Sequence, residues 1–169
     1  MNFIKSKFTT TKRFLSNINS LYLNFRPFIW FIFVNEFLFD FYLLEGESMI
    51  PTFKEFGDVV IVEKLTTSKL FHKIFRKSGE FRKGEIVCLI NPIENDVKIC
   101  KRIIHLENEI VKFKNGNEIL VPKNHVWVEG DNKDNSMDSR KFGPVSKHLI
   151  VGRIRYQLWP KLTILKYNY

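Results

Sequence analysis

Cysteine is scarce: Cys88 and Cys100 are the only two in 169 residues, which excludes a disulfide-stapled scaffold. No cluster of Cys and His has zinc spacing and no glycine-rich phosphate loop occurs, so neither metal nor cofactor is expected. Carboxylates are missing from the start of the chain, where Lys5, Lys7, Lys12, Arg13 and Arg26 all precede the first acid, Glu36. Those five cations supply +5 of a net charge of +9, leaving +4 for everything after them. The body therefore has no basic stripe, which argues against a nucleic-acid partner. Internal repeats and low-complexity tracts are absent. A chain with 44% apolar and 27% charged residues is too balanced for a disordered or collagen-like protein. The length fits one domain, or one domain plus an appendage.

What the chain does carry, first of all, is phenylalanine: 17 residues, concentrated before residue 60. Residues 1–26 combine five cations with six hydroxylated side chains and space their apolar residues as a helix would. That composition suits an organellar targeting segment, and equally a basic juxtamembrane flank on the negative side of a bilayer. Pro27 then introduces FIWFIFVNEFLFDFYLL, residues 28–44. As a helix this stretch spans ~26 Å, against a hydrocarbon core of ~30 Å. A transmembrane helix over 27–44 is the expectation, because all the cations lie on one side of it and Trp30 sits at that border. Glu36 and Asp40, four residues apart, would then share a helical face that could turn toward a partner. The charge placement puts the N-terminus on the matrix or cytoplasmic side and the rest of the chain opposite.

Beyond residue 57 the pattern is strand-like. Short β-branched runs at 59–65, 85–90, 97–104, 109–113, 118–121, 125–128 and 149–158 are separated by turn residues such as Gly84 and Pro122. Asn115-Gly116 between two of them predicts a hairpin. Residues 66–82 are polar and basic and read as a loop. The expected architecture is mainly β: a β domain over 45–169, hung on one N-terminal helix.

Two segments carry candidate chemistry. In EGESMIPTF, residues 45–53, Ser48 stands between Gly46 and Pro51, which alone suits a turn hydroxyl. It is not a G-x-S-x-G elbow. In VKICKRIIH, residues 97–105, strand alternation puts Lys101 on one face with Val97, Ile99 and Ile103. A lysine buried there loses its charge and becomes the neutral amine that a serine nucleophile needs; one at a strand edge keeps its head in water. Both readings of Lys101 stay open at this point. Of four histidines none lies in a triad motif, although His105 or His125 could serve a Ser/His/Asp arrangement.

A third segment, EGDNKDNSMDSRKFGPV at 129–145, changes the weight of the other two. With GESMIPT and CKRII it resembles the type I signal peptidase family of Ser/Lys proteases, in the right order and over roughly residues 28–160. Gly57-Asp58, the KGEIV of 83–87 and Gly152-Arg153 add to the likeness. The resemblance implies that Ser48 is the nucleophile and Lys101 its general base. It implies that Ser136 orients the amine, that Asp138 and Arg140 form a supporting ion pair, and that Asp131 shapes the loop. Met49 and Pro51 resemble the residues that shape the floor beside the nucleophile. No metal belongs to this chemistry. Where many bacterial relatives have a serine two residues before the nucleophile, this chain has Gly46; where they have a glycine-rich turn after the lysine, it has His105-Leu106-Glu107-Asn108-Glu109. Asn108 can adopt the left-handed conformation such a turn needs.

A lysine base and the DSR ending on Arg140 are similar to the first subunit of the mitochondrial inner membrane peptidases. The implied protein is a membrane-bound signal peptidase removing N-terminal sorting peptides, with its catalytic domain in the intermembrane space. Its implied partners are precursor proteins, the membrane and a related second peptidase subunit. The alternatives are a bacterial-type signal peptidase of another organelle and a non-catalytic partner subunit that binds targeting segments. Cys88 and Cys100 fall in adjacent expected strands, as free thiols more often than as a disulfide.

Overall fold

The computed structural model describes residues 24–28, 38–64, 81–94, 96–165 and 167. The chain divides into two units, 1–36 and 37–169. In the first, residues 24–28 are helical. The second is a β domain.

The helix expected over 27–44 does not reach its expected end. Phe39–Glu45 is a strand, β1, paired antiparallel with β2 (Phe56–Glu63) so that Asp40 faces Val62 and Tyr42 faces Val60. The reason is a period of two hidden in an unbroken apolar run: Tyr42 and Leu44 turn inward while Phe41, Leu43 and Glu45 are exposed. Asp40 is therefore not on a helical face. It pairs with Lys64 at 2.7 Å, and Glu36, its expected companion, lies outside the described residues, as do residues 29–37 and all but the last two positions of the loop expected over 66–82. Among the described residues no helix is long and apolar enough to cross a membrane.

The other expected strands form close to their anticipated limits: β3 (Ile86–Ile90), β4 (Lys98–His105), β5 (Ile110–Lys112), β6 (Glu118–Leu120), β7 (His125–Glu129) and, further on, β9 (Ile150–Trp159); two short strands, β8 (Val145–Ser146) and β10 (Thr163–Ile164), were not anticipated. Pairing is antiparallel throughout, in the order β1-β2-β9-β3-β4-β7-β8, with β10 on β9 and a separate β5-β6 hairpin. The hairpin turns at Asn115-Gly116 as expected, with Gly116 at φ 85°. Asn108 takes φ 67° in the turn after β4.

β3 explains the sheet's position. Its sequence IVCLI is apolar on both faces because both are covered. Ile86 and Cys88 join Val60, Val62 and Ile154 in one buried cluster; Val87 and Leu89 join Ile103, Val126 and Val128 in another. Between them Glu85 and Arg153 form a buried ion pair at 3.2 Å, with the guanidinium 5.0 Å from the centre of the Phe81 ring. The KGEIV and Gly152-Arg153 segments, 68 positions apart from Glu85 to Arg153, thus meet in space. Next to Arg153, Gly152 is where β9 passes close to β2: a Cβ there would lie 2.3 Å from the Glu63 carbonyl oxygen. Backbone cannot yield as a side chain does, so Gly152→Ala should destabilise the domain by about 1–3 kcal/mol, as overpacking typically does. A lower urea midpoint than wild type is the expected measurement; an unchanged one would show that the strands can separate at no cost.

Candidate active site

Ser48 sits in a 3-10 turn, Glu47–Met49, immediately after β1. Gly46 makes the corner at φ 101°, ψ 157°, a conformation open to glycine, and its N–H bonds the Glu55 carbonyl at 2.8 Å. Met49 anchors the turn by entering the core with Phe53. The Ser48 carbonyl is held by the Asn132 N–H at 3.0 Å, and Glu47 is held through its carbonyl by Asn132 and through its carboxylate by Asn135. The 130–135 loop thus fixes the height of the serine.

Lys101 lies on β4 opposite Val87 and is 3% exposed. Its Nζ is 2.7 Å from Ser48 Oγ and donates to the Cys100 carbonyl at 3.0 Å. Burial drives the amine's pKa below the ordinary lysine value; neighbouring acids, Asp138 and Asp131 among them, pull the other way and lose. Of the two readings of this lysine, the buried one is correct, and its neighbour on the chain of contacts is the serine.

Each nearby carboxylate is already occupied. Asp138 is fully buried and accepts two bonds from the Arg140 guanidinium at 2.9 and 2.7 Å and one from the Gly130 N–H at 2.9 Å. Burial alone would raise its pKa, but these donors outweigh it and hold the carboxyl at about 2. Asp131 is gripped the same way by Arg102, at 2.8 and 2.6 Å, and also accepts from the Thr52 hydroxyl. Ser136 Oγ is buried near Asp138, whose pKa it helps to lower, and among the described residues it makes no hydrogen bond, so the hold on the Lys101 amine that the resemblance implies is not made here. A Cβ on Gly130 would fall 2.3 Å from Ser136 Oγ and 2.5 Å from the Ser48 carbonyl, so the hydroxyl and the nucleophile's backbone flank one glycine.

A cavity of about 410 Å³ opens from Ser48 and Lys101 between β1 and residues 97–101. Leu44, Met49, Phe53, Val62, Cys88 and Ile154 make it apolar. Met49 lines the cavity beside Ser48. Pro51 does not line the cavity; it is exposed, following a cis peptide bond. The free thiols of Cys88 and Cys100 face one another across β3 and β4. Burial pushes Cys88 up to about 11 and Cys100 up as well. His105 lies 3.6 Å from Glu109 and His125 meets the Lys123 carbonyl, so among the described residues no histidine serves Ser48. Arg102 and Thr52 were not anticipated. Strand alternation turns Arg102 away from Lys101, and only the folded loop shows that the other side of the strand holds Asp131.

A serine hydroxyl against a dry amine on an antiparallel β scaffold defines a class of hydrolase. Comparison with known proteins agrees. The model of the family "Signal peptidase, peptidase S26" matches residues 18–120 and 107–159. The chain is 40% identical over 130 residues to mitochondrial inner membrane protease subunit 1 of Xenopus tropicalis, covering 74% of this chain and 72% of that one. It is 32% identical over 130 residues to the same subunit of Schizosaccharomyces pombe (75% and 78% covered), and 37% over 123 residues to subunit 2 of Mus musculus (69% and 65%). The chain belongs to the signal peptidase family, peptidase S26, and is a serine peptidase of the signal peptidase type.

The Asp138 carboxyl, depressed in the folded state, contributes stability that is complete above its unfolded pKa of ~3.9 and is lost as pH falls through about 2. Wild-type stability should therefore drop by ~2 kcal/mol more than that of Asp138→Asn between pH 5 and pH 2. Urea unfolding at both pH values measures this; parallel losses in the two proteins would remove Asp138 from the acid response.

Proposed function

We propose that the chain is a membrane-bound endopeptidase of the mitochondrial inner membrane that removes N-terminal sorting peptides from translocated precursors, with Ser48 as nucleophile and Lys101 as general base. The observation that carries this is the 2.7 Å approach of Ser48 Oγ to the Nζ of a lysine buried away from any free carboxylate. The neutral amine takes the hydroxyl proton as Oγ attacks the scissile carbonyl, and the ammonium then protonates the leaving amine. A water activated by the same amine releases the acyl group and regenerates both side chains. With its remaining N–H groups Lys101 is held by the Cys100 carbonyl and, in this proposal, by Ser136. The oxyanion is assigned to the Ser48 N–H, at the start of a 3-10 turn where backbone donors lack intrahelical partners. Gly46 cannot add its own amide, which bonds Glu55.

A substrate chain would lie extended in the cavity. Residues 98–101 of β4 pair with β3 on one side and precede the β7 pairing, which begins at Arg102. β1 is an edge strand. Two such edges facing one cavity suit an extended peptide, whose backbone can bond to either.

We also assign the exposed face of β1, β2, β9 and β10 to the lipid surface. Register aligns Phe41, Ile61, Tyr156 and Ile164 in one row across these strands, with Leu43, Val59 and Trp159 in the next. Phe41, Leu43, Phe56, Trp159, Leu162 and Ile164 are each more than half exposed. A contiguous apolar face of this kind suits a bilayer border, with the tryptophan at the interface. The N-terminal segment is assigned to the matrix side and the β domain to the intermembrane space, alongside a related second subunit like those among the relatives.

Ser48→Ala and Lys101→Ala should each lower precursor processing by at least about a thousandfold, a typical loss when one member of a catalytic pair is removed. Both chains should keep the wild-type unfolding midpoint within about 1 kcal/mol. Because the amine acts unprotonated and its pKa is lowered, wild-type activity should rise with pH along a limb centred below the ordinary lysine value of ~10.4. Processing retained by either variant overturns the mechanism. In the Trp30→Phe chain reconstituted into brominated-phosphatidylcholine vesicles, lipid should quench an emission component that Trp159→Phe removes; no such component would take the β face off the membrane.

A further inference from the structure

We propose that Lys98, steadied by Tyr42, selects substrates with a carboxylate side chain about three residues from the scissile bond. The assignment rests on the reading of Ser48 and Lys101 as the reacting pair.

Tyr42 of β1 and Lys98 of β4 both line the cavity, and their side chains meet although β1 and β4 are not neighbours in the sheet. Lys98 Nζ donates to the Tyr42 hydroxyl at 2.7 Å and also lies 4.7 Å from the centre of its ring. The phenol in turn donates to Asp40 at 3.0 Å, and the charge of Asp40 is met by Lys64 at 2.7 Å. This relay fixes the tyrosine and leaves the lysine against a neutral oxygen. Among the described residues no carboxylate comes within salt-bridge distance of Lys98, whose side chain is exposed. Tyr42, Leu44 and Cys100 pack on the same apolar cluster that floors the cavity. Among the described residues Lys98 is thus a cation with no ion-pair partner beside an apolar channel, where a charge-assisted hydrogen bond to a carboxylate is less diluted by water than on an open surface.

Its position along the channel sets which substrate residue it meets. Lys98 precedes Lys101 by three residues on one strand, ~10 Å at the rise of an extended chain. A peptide lying extended beside β4 advances at the same rate, so the third residue from the bond being cut comes opposite Lys98. A glutamate there gains a partner that Lys98 otherwise lacks. A lysine there meets like charge and displaces nothing.

The test uses the full chain in detergent carrying Ser48→Ala, so that peptides bind without being consumed. Two peptide pairs are compared by fluorescence anisotropy, one with Glu or Lys at the third position before the bond, the other with Glu or Lys at the third position after it. In one of the two pairs the Glu peptide should bind about tenfold more tightly than its Lys counterpart, and less so as salt rises. Adding Lys98→Glu should reverse that preference, and adding Tyr42→Phe should cut it about threefold by releasing the lysine from its hold. Equal binding of Glu and Lys peptides at both positions, or a preference unchanged by Lys98→Glu, overturns the assignment. The reacting-pair reading fails separately, as precursor cleavage that survives Ser48→Ala in the same preparation.

Discussion

An amine carried into a protein interior keeps its proton only if something there stabilises the charge, and this domain withholds that stabilisation from Lys101. The side chain is buried with a hydroxyl and a carbonyl as its hydrogen-bond partners. The two aspartates near enough to hold a proton on it, Asp138 and Asp131, are each bound through both oxygens by an arginine. Their residual field is too weak to undo the cost of desolvation, so the amine's pKa falls.

The rest of the architecture serves that arrangement. Asp138 links Arg140 to the Gly130 amide, and the following loop residues hold the carbonyls of Glu47 and Ser48. Arg102, adjacent to Lys101, reaches the Gly84 carbonyl and Thr52 as well as Asp131. One pair of consecutive residues on β4 therefore meets Ser48 on one side and locks the surrounding loops on the other. Because a strand alternates, this division of labour needs no extra structure. The buried Glu85–Arg153 pair and the tight crossing at Gly152 keep β9 and β3 in place beneath it, and the lysine strand pairs with β3.

β1 joins the site to its surroundings. Its inward residues, Tyr42 and Leu44, line the cavity, and its outward residues, Phe41 and Leu43, begin the exposed apolar face. The same strand completes an apolar channel and an apolar exterior, which accounts for Phe41 to Leu44 reading as a continuous apolar run. Asp40, anomalous inside a membrane helix, is ordinary at a strand edge where Lys64 and Tyr42 can reach it.

Much of this protein was legible in one dimension. Alternation and turn residues located β2 to β7 and β9 within about three residues at each end, because a β pattern with one buried face is written locally; the two-residue β8 and β10 are too short to show a period. The serine, the lysine and the Asp-Ser-Arg segment announced the chemistry through short, ordered boxes. The end of the expected membrane helix was misplaced, since a strand with apolar residues on its exposed face as well as its inward one has little polar beat to reveal its period. Nor could alternation tell that Arg102 grips Asp131, that Tyr42 touches Lys98, or that Lys101 is dry. Those facts depend on residues 29 to 56 positions apart meeting in space, and burial is a property of the whole sheet rather than of any stretch of chain. Residue order named the groups that could react; packing removed the water that would have kept them from doing so.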